Sequence, residues 1–310
     1  MKKKGFLQIS FPWLFAIIVG IFILFLAIYA VTKLIRTEQT IQDVKTSKEI
    51  GILLNPLETG FEEAKITSLG FPVETRIFNT CNLEGEFGRQ LIGISQKSFN
   101  QWTETNVDVG FSNKYLFSNS TVEGQEMVIF SKPFDFPFKI SDLIYIIPIK
   151  EKYCFVNSPT EVEQELKNLN QDNFLTENCT NLKNIIRVCF SGSRNCEINV
   201  DYNAGSVDKR EGTVYFDRDS LMYAGIFADK ITYECQLSRL MKRVENLAQI
   251  YSKKSLMISG KGCNTNLEGD LSQLISISSN FDSSIDLFKM SELVKEIEIK
   301  NNQNSLCKLW

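Results

Sequence analysis

The hydrophobic and polar pattern of the chain opens with an uninterrupted apolar run from Phe11 to Val31. Its 21 residues include no charged side chain and no amide, and no face of the run is polar. A helix of about 20 such residues can cross the hydrocarbon core of a bilayer. We therefore predict a transmembrane helix over residues 11–33, preceded by a cytoplasmic tail of residues 1–10.

A cleaved secretory signal is the alternative interpretation of the same run. Signal peptides have an apolar region of about 7–15 residues followed by an A-x-A-like cleavage site. The run here is longer, and no such site follows it. We expect the helix to remain in the protein, with the lipid bilayer as partner of residues 11–33.

The pattern changes twice beyond the apolar run. Helix-compatible sequence continues to Pro56 and predicts a helical stalk or linker over residues 34–65. Short runs of β-branched and aromatic residues then predict a β-rich domain over 66–218, interrupted by one amphipathic helix in SPTEVEQELKNL. The expected strands are PVETRIFN, QLIGIS, KYLFS, EMVIFS, DLIYIIP, KYCFVN, IIRVCF, EINVDY and TVYF, with PFDFPF and SNSTVEG as loops.

A helical period predicts a C-terminal helical region over residues 219–310. One helix is expected from a cap at Asp219 or Ser220 to about Ser259, and two more around 267–279 and 284–300. Its apolar stripe consists of Tyr233, Leu237, Leu240, Val244, Leu247 and Tyr251. The predicted fold class is α+β: an N-terminal transmembrane helix, a mixed or antiparallel β-rich domain, and a C-terminal helical bundle packed on it.

The composition narrows the chemistry, because the chain contains no histidine. A Ser-His-Asp triad, a Cys-His pair and an H-E-x-x-H zinc site are all excluded. The Ser206-x-x-Lys209 spacing, the oxygen ligands of residues 201–211 and the acids of residues 161–165 are better explained as turn, loop and surface residues. We expect no catalytic residue, no cofactor and no metal.

The cysteines indicate the compartment. All eight follow the apolar run, and none is spaced as C-x-x-C. An even number behind a membrane anchor favours disulfides outside the cytoplasm over a structural zinc site. Two pairs can be argued: Cys189 with Cys196, across an expected hairpin, and Cys263 with Cys307, at the outer ends of the last two helices.

The net charge of −3 conceals a division along the chain. Residues 1–36 contribute +5 and no acid, so the remaining residues sum to −8. No basic stripe follows the first segment, and nucleic acid is not expected as a partner.

The N-terminal sequence MKKKGFLQISFPWLFAIIVGIFILF resembles that of archaeal type IV pilin-like proteins. Lys2 to Lys4, Gly5, Gln8 and Ser10 match the basic tail, the glycine before the processing point and the Q-x-S-x-E stretch, whereas Pro12 replaces the acid. The resemblance covers about 15 residues. It implies an archaeal cell-surface protein, and processing after Gly5 stays open.

These features predict a single-pass membrane protein whose domain lies outside the cell, with a structural or binding role and with envelope proteins as partners. A pilin-like filament or envelope-complex subunit is the first alternative, and it requires one continuous helix from Phe6 to about Leu54. A carboxylate-dependent extracytoplasmic hydrolase is the second, and it requires a deep cleft lined by Asp and Glu side chains with perturbed pKa values.

Overall fold

The computed structural model describes residues 11–53, 65–98, 100–103, 108–176, 179, 185–190, 192, 196–304 and 306–310. The predicted cytoplasmic tail, and with it every matching residue of the pilin-like motif, lies outside these ranges. So does the part of the predicted stalk after Leu53, up to residue 64.

The described residues confirm the α+β fold class. The helices are α1 (Phe11–Leu53), α2 (Thr160–Leu169), α3 (Asp219–Phe227), α4 (Lys230–Ser259), α5 (Glu268–Ser279) and α6 (Leu287–Gln303), with a 3-10 turn at Ser284–Asp286. The strands are β1 (Lys65–Asn82), β2 (Arg89–Ser98), β3 (Gln101–Trp102), β4 (Val109–Phe111), β5 (Leu116–Phe117), β6 (Thr121–Asp135), β7 (Lys139–Pro148), β8 (Lys152–Val156), β9 (Phe174–Leu175), β10 (Ile185–Cys189), β11 (Ile198–Asp201), β12 (Ser206–Lys209) and β13 (Gly212–Tyr215).

The apolar run forms the first part of α1. Residues 11–35 of this helix are long and apolar enough to cross a membrane, and every one of them is exposed. At about 1.5 Å per residue, these 25 residues span more than the ~30 Å of a bilayer core. The helix continues without a break to Leu53 and lies against β2 and β4.

The first sheet has the strand order β3-β2-β1-β6-β7-β5, and β4 also pairs with β2. All its pairs are antiparallel except β5 with β7. Consecutive residues of β7 are buried on opposite faces: Tyr145 belongs to the main core, whereas Ile144 and Ile146 belong to a smaller core on the other face. This double burial explains why DLIYIIP is apolar almost throughout.

The second sheet has the order β13-β12-β11-β10-β8-β9. The expected hairpin between β10 and β11 is wrong, because these strands are parallel, with Val188 opposite Ile198. Cys189 and Cys196 are nevertheless joined, with 6.0 Å between their Cα atoms. Two cysteines on neighbouring strands can lie within disulfide distance whether the strands are parallel or antiparallel. The spacing of Cys189 and Cys196 therefore could not determine the strand direction.

Two expected loops are partly strand. β6 begins at Thr121, inside SNSTVEG, and runs to Asp135, inside PFDFPF. Phe134, Phe136 and Phe138 are buried at the end of the β6–β7 hairpin. The prolines suggested a loop, but burial of the three rings outweighs this tendency, and Pro133 pairs in register with Asp142.

The single helix expected from residue 219 is also wrong, because Ala228 is extended and separates α3 from α4. Asp229 caps α4, its Oδ1 accepting a hydrogen bond of 2.8 Å from the Thr232 backbone N–H. Arg218, not Asp219 or Ser220, is the N-cap of α3, and Asp219 lies in the first turn. No Gly or Pro marks the break between α3 and α4, so only the capping aspartate could have indicated it.

Aromatic side chains join the two sheets through α3. Phe130 of β6 lies 4.3 Å from Tyr145 of β7, measured between ring centroids, and 5.7 Å from Phe227 of α3. Phe227 in turn lies 5.0 Å from Tyr153 of β8. Eight of the nine residues of α3 are buried, so this short helix is the centre of the main core.

A polar cluster joins α4 to the first sheet. Arg239 is fully buried, and each of its acceptors is uncharged. They are the backbone carbonyls of Phe87, Phe111, Ser112 and Lys114 and the side-chain Oε1 of Gln236, at distances of 2.6 to 3.4 Å. Gln236 also donates to Gln90, which donates to Asn79 at 2.6 Å.

Gly88 allows the loop between β1 and β2 to lie close to the Arg239 side chain. Its φ is +59°, and a Cβ there would lie 2.5 Å from the Asn82 carbonyl and 3.0 Å from Arg239 Cγ. Any larger residue would displace the loop from the guanidinium.

All eight cysteines lie in the described part of the chain, and they form four disulfides. Cys189–Cys196 and Cys263–Cys307 are the two pairs argued from the sequence. Cys81–Cys235 joins β1 to α4 across 154 residues, and Cys154–Cys179 links β8 to the segment after β9. Spacing alone did not indicate these two, since their partners are brought together only by the tertiary fold.

Replacing Arg239 with methionine should destabilise the protein. The substitution leaves five acceptors without their donor: the Lys114 carbonyl and Gln236 Oε1 in buried bonds, and three further carbonyls in partly buried ones. Since an unpaired buried polar group costs about 1–3 kcal/mol, we expect the free energy of unfolding to fall by about 3–5 kcal/mol. Guanidinium unfolding of the full chain in detergent, followed by circular dichroism, measures this change. Arg210→Met is the control because Arg210 is exposed; equal stability of the two variants would contradict the role of Arg239.

Candidate binding cleft

A cleft of about 780 Å³ lies between segments that are distant in the sequence. Its walls are the end of β6, the β11–β12 turn, the junction of β13 with α3, and the first half of α6. The volume is in the range of about 300–1,000 Å³ that is common for small-ligand sites. The lining residues are Lys132, Pro133, Asp135, Tyr202, Asn203, Ala204, Gly205, Phe216, Asp217, Arg218, Asp219, Ser220, Leu287, Phe288, Ser291, Glu292 and Lys295.

Lys132 is held at the cleft by a partner on α2. Its Nζ donates to both carboxylate oxygens of Glu165, at 2.7 and 2.6 Å, and lies 3.9 Å from Asp219 Oδ2. The Tyr223 hydroxyl donates to Glu165 at 3.0 Å. Burial, followed by the nearby Glu165 carboxylate, raises the pKa of Tyr223 well above its usual range, so its phenol stays protonated.

Asp219 orients Tyr202 in the cleft lining. The Tyr202 hydroxyl donates to Asp219 Oδ1 at 2.9 Å. Burial, together with this hydrogen bond to a carboxylate, raises the pKa of Tyr202 to about 12. Tyr202 is therefore a neutral donor at physiological pH, and its ring is held in one orientation.

Arg218 has an unusual backbone conformation at the junction of β13 and α3. Its φ is +84°, a region that residues with a Cβ rarely adopt. Its Nη2 donates to Glu298 Oε1 of α6 at 2.6 Å. Strained backbone of this kind is concentrated at functional sites in proteins, and here it lies in the cleft wall.

The same junction has polar atoms that the protein does not pair. Asp217 Oδ2 and Arg218 Nε are buried and have no hydrogen-bond partner among the described residues. Because more than about 90% of buried polar groups in folded proteins are hydrogen-bonded, two adjacent exceptions are unusual. They mark the junction as a place where the fold of the described residues leaves polar groups unpaired.

Gly205 and Phe216 lie at the base of the cleft. Gly205 has a φ of +62°, and a Cβ there would lie 2.6 Å from the Phe216 carbonyl and 4.0 Å from Phe288 Cε1. The Phe216 backbone N–H also donates to the Gly205 carbonyl at 2.8 Å. The absence of a side chain at residue 205 thus brings the two strands together and leaves room above them.

The residues whose spacing raised the question of catalysis or calcium binding do not gather at one site. Ser206 and Lys209 stand three residues apart on β12 and so face opposite sides of the sheet, which separates them. Among the possible calcium ligands, Asp208 accepts from Thr213 Oγ1 and Glu211 accepts from the Lys230 backbone N–H. No group of three or more acidic or cysteine side chains within the described ranges could hold a metal ion.

Asp217 and Asp219 line the cleft, and Glu165 lies beside it through its bond to Lys132. Glu163 instead pairs with Lys167 along α2, at 2.6 Å. The acidic lining required by the hydrolase alternative is present, but its catalytic role stays a prediction. Nothing in the local sequence relates Arg218, Lys132 and Phe288 to a common site, so the sequence did not indicate that they line one cleft.

No protein-family model, curated protein or solved structure matches the chain. The resemblance to pilin-like proteins stays a prediction from the N-terminal motif.

The environment of Lys209 predicts a pH-dependent stability. Its Nζ donates to the Ala228 carbonyl at 2.7 Å, and burial lowers its pKa to about 8. The unfolded chain keeps the lysine protonated up to about pH 10.4, so it binds more protons than the folded protein between these values, and stability rises with pH. We expect the unfolding free energy of wild type, relative to Lys209→Met, to increase by about 1–3 kcal/mol from pH 7 to pH 10.

Chemical unfolding at a series of pH values measures this trend. Lys308→Met is the matched control, because Lys308 is exposed, and its difference from wild type should not change with pH. A constant difference between wild type and Lys209→Met would contradict the shifted pKa.

Proposed function

We propose that the protein is a single-pass membrane protein whose α+β domain lies outside the cytoplasm and serves as a structural or binding module. The observation that carries the proposal is the pairing of all eight cysteines in four disulfides. Such complete pairing is typical of proteins in oxidising compartments, since cytosolic thiols are usually kept reduced.

The first part of α1 supports the anchoring role. Its large apolar side chains are 37–81% exposed, and Phe15, Phe22 and Phe25 each exceed 60%, so the domain does not cover them. A patch of this size on a protein surface calls for another apolar environment, and a bilayer supplies it. The domain follows at β1 and places its disulfides on one side of that bilayer.

Alkylation tests the compartment directly. The protein in the membrane fraction is denatured without reductant and treated with a maleimide, which adds a fixed mass to each free thiol. We expect no modified cysteine before reduction and eight after it, as measured by intact-protein mass spectrometry. Cys263→Ser is the matched control, because it leaves Cys307 unpaired and should add one modification in the unreduced sample. Labelling of most of the thiols in unreduced wild type would place the domain in a reducing compartment.

A filament subunit is the second candidate, favoured by the continuity of α1. The described helix runs from Phe11 through Gly51 to Leu53 without a break, and residues 6–10 and 54 of the continuous helix that this role requires lie outside the described ranges. Immunogold electron microscopy of fibres sheared from the cell surface is the test. Gold labelling along fibres would support this role, whereas labelling confined to the membrane fraction would contradict it.

A further inference from the structure

We propose that the cleft binds a neutral polyhydroxylated ligand, a short saccharide chain. Two aromatic rings in the lining lead to this inference: Tyr202 is 36% exposed and Phe288 is 50% exposed. The inference rests on the proposed function only in that an exterior domain meets saccharides of the cell surface.

The two rings are placed to stack against a ligand. Phe288 approaches Gly205 at the base of the cleft, and Tyr202 lies 6.4 Å from Phe216, measured between ring centroids. The face of an aromatic ring is electronegative and attracts the weakly positive C–H groups on one side of a sugar ring. A saccharide would therefore cover apolar area that water otherwise contacts.

Both rings are held before a ligand arrives. The hydroxyl of Tyr202 is bonded to Asp219, and the ring of Phe288 packs edge to face on Tyr215 with centroids 5.1 Å apart. Since binding costs free energy for every side chain that must be ordered, fixed rings lower that cost.

The charges of the cleft disfavour an anionic ligand. Three cationic and four acidic side chains line it, and two of the cations are already paired. Lys132 is bonded to Glu165 and Arg218 to Glu298, each at 2.6 Å, and both of these acids belong to neighbouring elements outside the lining. A phosphate would have to compete with these pairs and would meet an excess of carboxylates.

Hydroxyl groups fit this mixture better than a charged group of either sign. A hydroxyl both donates and accepts, so it can donate to Asp217 or Glu292 and accept from Lys295. A cationic ligand would meet the ammonium group of Lys295, and an apolar ligand would leave the charged lining without water. A lining that holds both donors and acceptors beside two fixed rings suits a sugar ring with adjacent hydroxyls.

Binding to defined oligosaccharides tests the inference. The full chain is prepared in nanodiscs without any glycosidic detergent, and saturation-transfer NMR is run with neutral tetrasaccharides of glucose, mannose and N-acetylglucosamine. We expect at least one of them to bind, and both Tyr202→Ser and Phe288→Ser to weaken its affinity about tenfold or more. Tyr202→Phe, which keeps the ring, should lose about threefold or less.

Ile285→Ser is the matched control, because Ile285 is 51% exposed in the turn before α6 but does not line the cleft. It should leave the affinity unchanged. Mass spectrometry of the unreduced variants, showing all four disulfides, establishes that each has folded.

Three results would overturn the inference. The first is that no neutral tetrasaccharide binds at millimolar concentration. The second is that Tyr202→Ser and Phe288→Ser leave the binding unchanged. The third is that inorganic phosphate or tetralysine binds more tightly at the same residues. The alkylation result does not depend on this assay. If the cleft binds no saccharide, the proposed exterior location is unaffected. If the cysteines are found reduced but a saccharide binds, the proposed saccharide site is unaffected.

Discussion

The buried guanidinium of Arg239 constrains the architecture, because a charge removed from water is stable only when its N–H groups have acceptors. Those acceptors come from α4 and from two segments next to the first sheet: the β1–β2 loop at residue 87, and the end of β4 with the loop after it at residues 111–114. Cys235 lies four residues earlier on the same face of α4 and is bonded to Cys81 of β1. Together these bonds allow α4 one position on the sheet, and α5 then packs on α4 and α6 on α5.

The sequence predicts the elements that depend on periodicity and fails where tertiary contacts decide. The apolar run at residues 11–31 and the stripe from Tyr233 to Tyr251 are local patterns, and both are found as helices. The direction of β11 relative to β10 is not local, since the Cys189–Cys196 bridge permits either direction. The cleft could not be predicted as a site because its four segments span residues 132 to 295, so no spacing relates Lys132 to Phe288.

The anchor and the cleft are formed by different elements. α1 lies against β2 and β4, whereas the cleft is lined by the end of β6, the second sheet, α3 and α6. Among the described residues, no lining side chain belongs to α1 or to the strands β1 to β4. A ligand in the cleft therefore needs no contact with α1, and in the proposed arrangement the domain can present the cleft while α1 holds it at the bilayer.

The conformation of Arg218 is maintained by the core and not by its own ion pair. A residue with a Cβ at a φ of +84° costs on the order of 1–3 kcal/mol. The pair with Glu298 is partly exposed, with side-chain exposures of 34% and 24%, and such pairs contribute about 0–1 kcal/mol. The following helix, α3, buries Leu221, Ile226 and Phe227, each worth about 1.5–3 kcal/mol. Burial of α3 can thus offset the strain, and it holds Asp217, Arg218 and Asp219 at the cleft wall in a conformation that a relaxed turn would not provide.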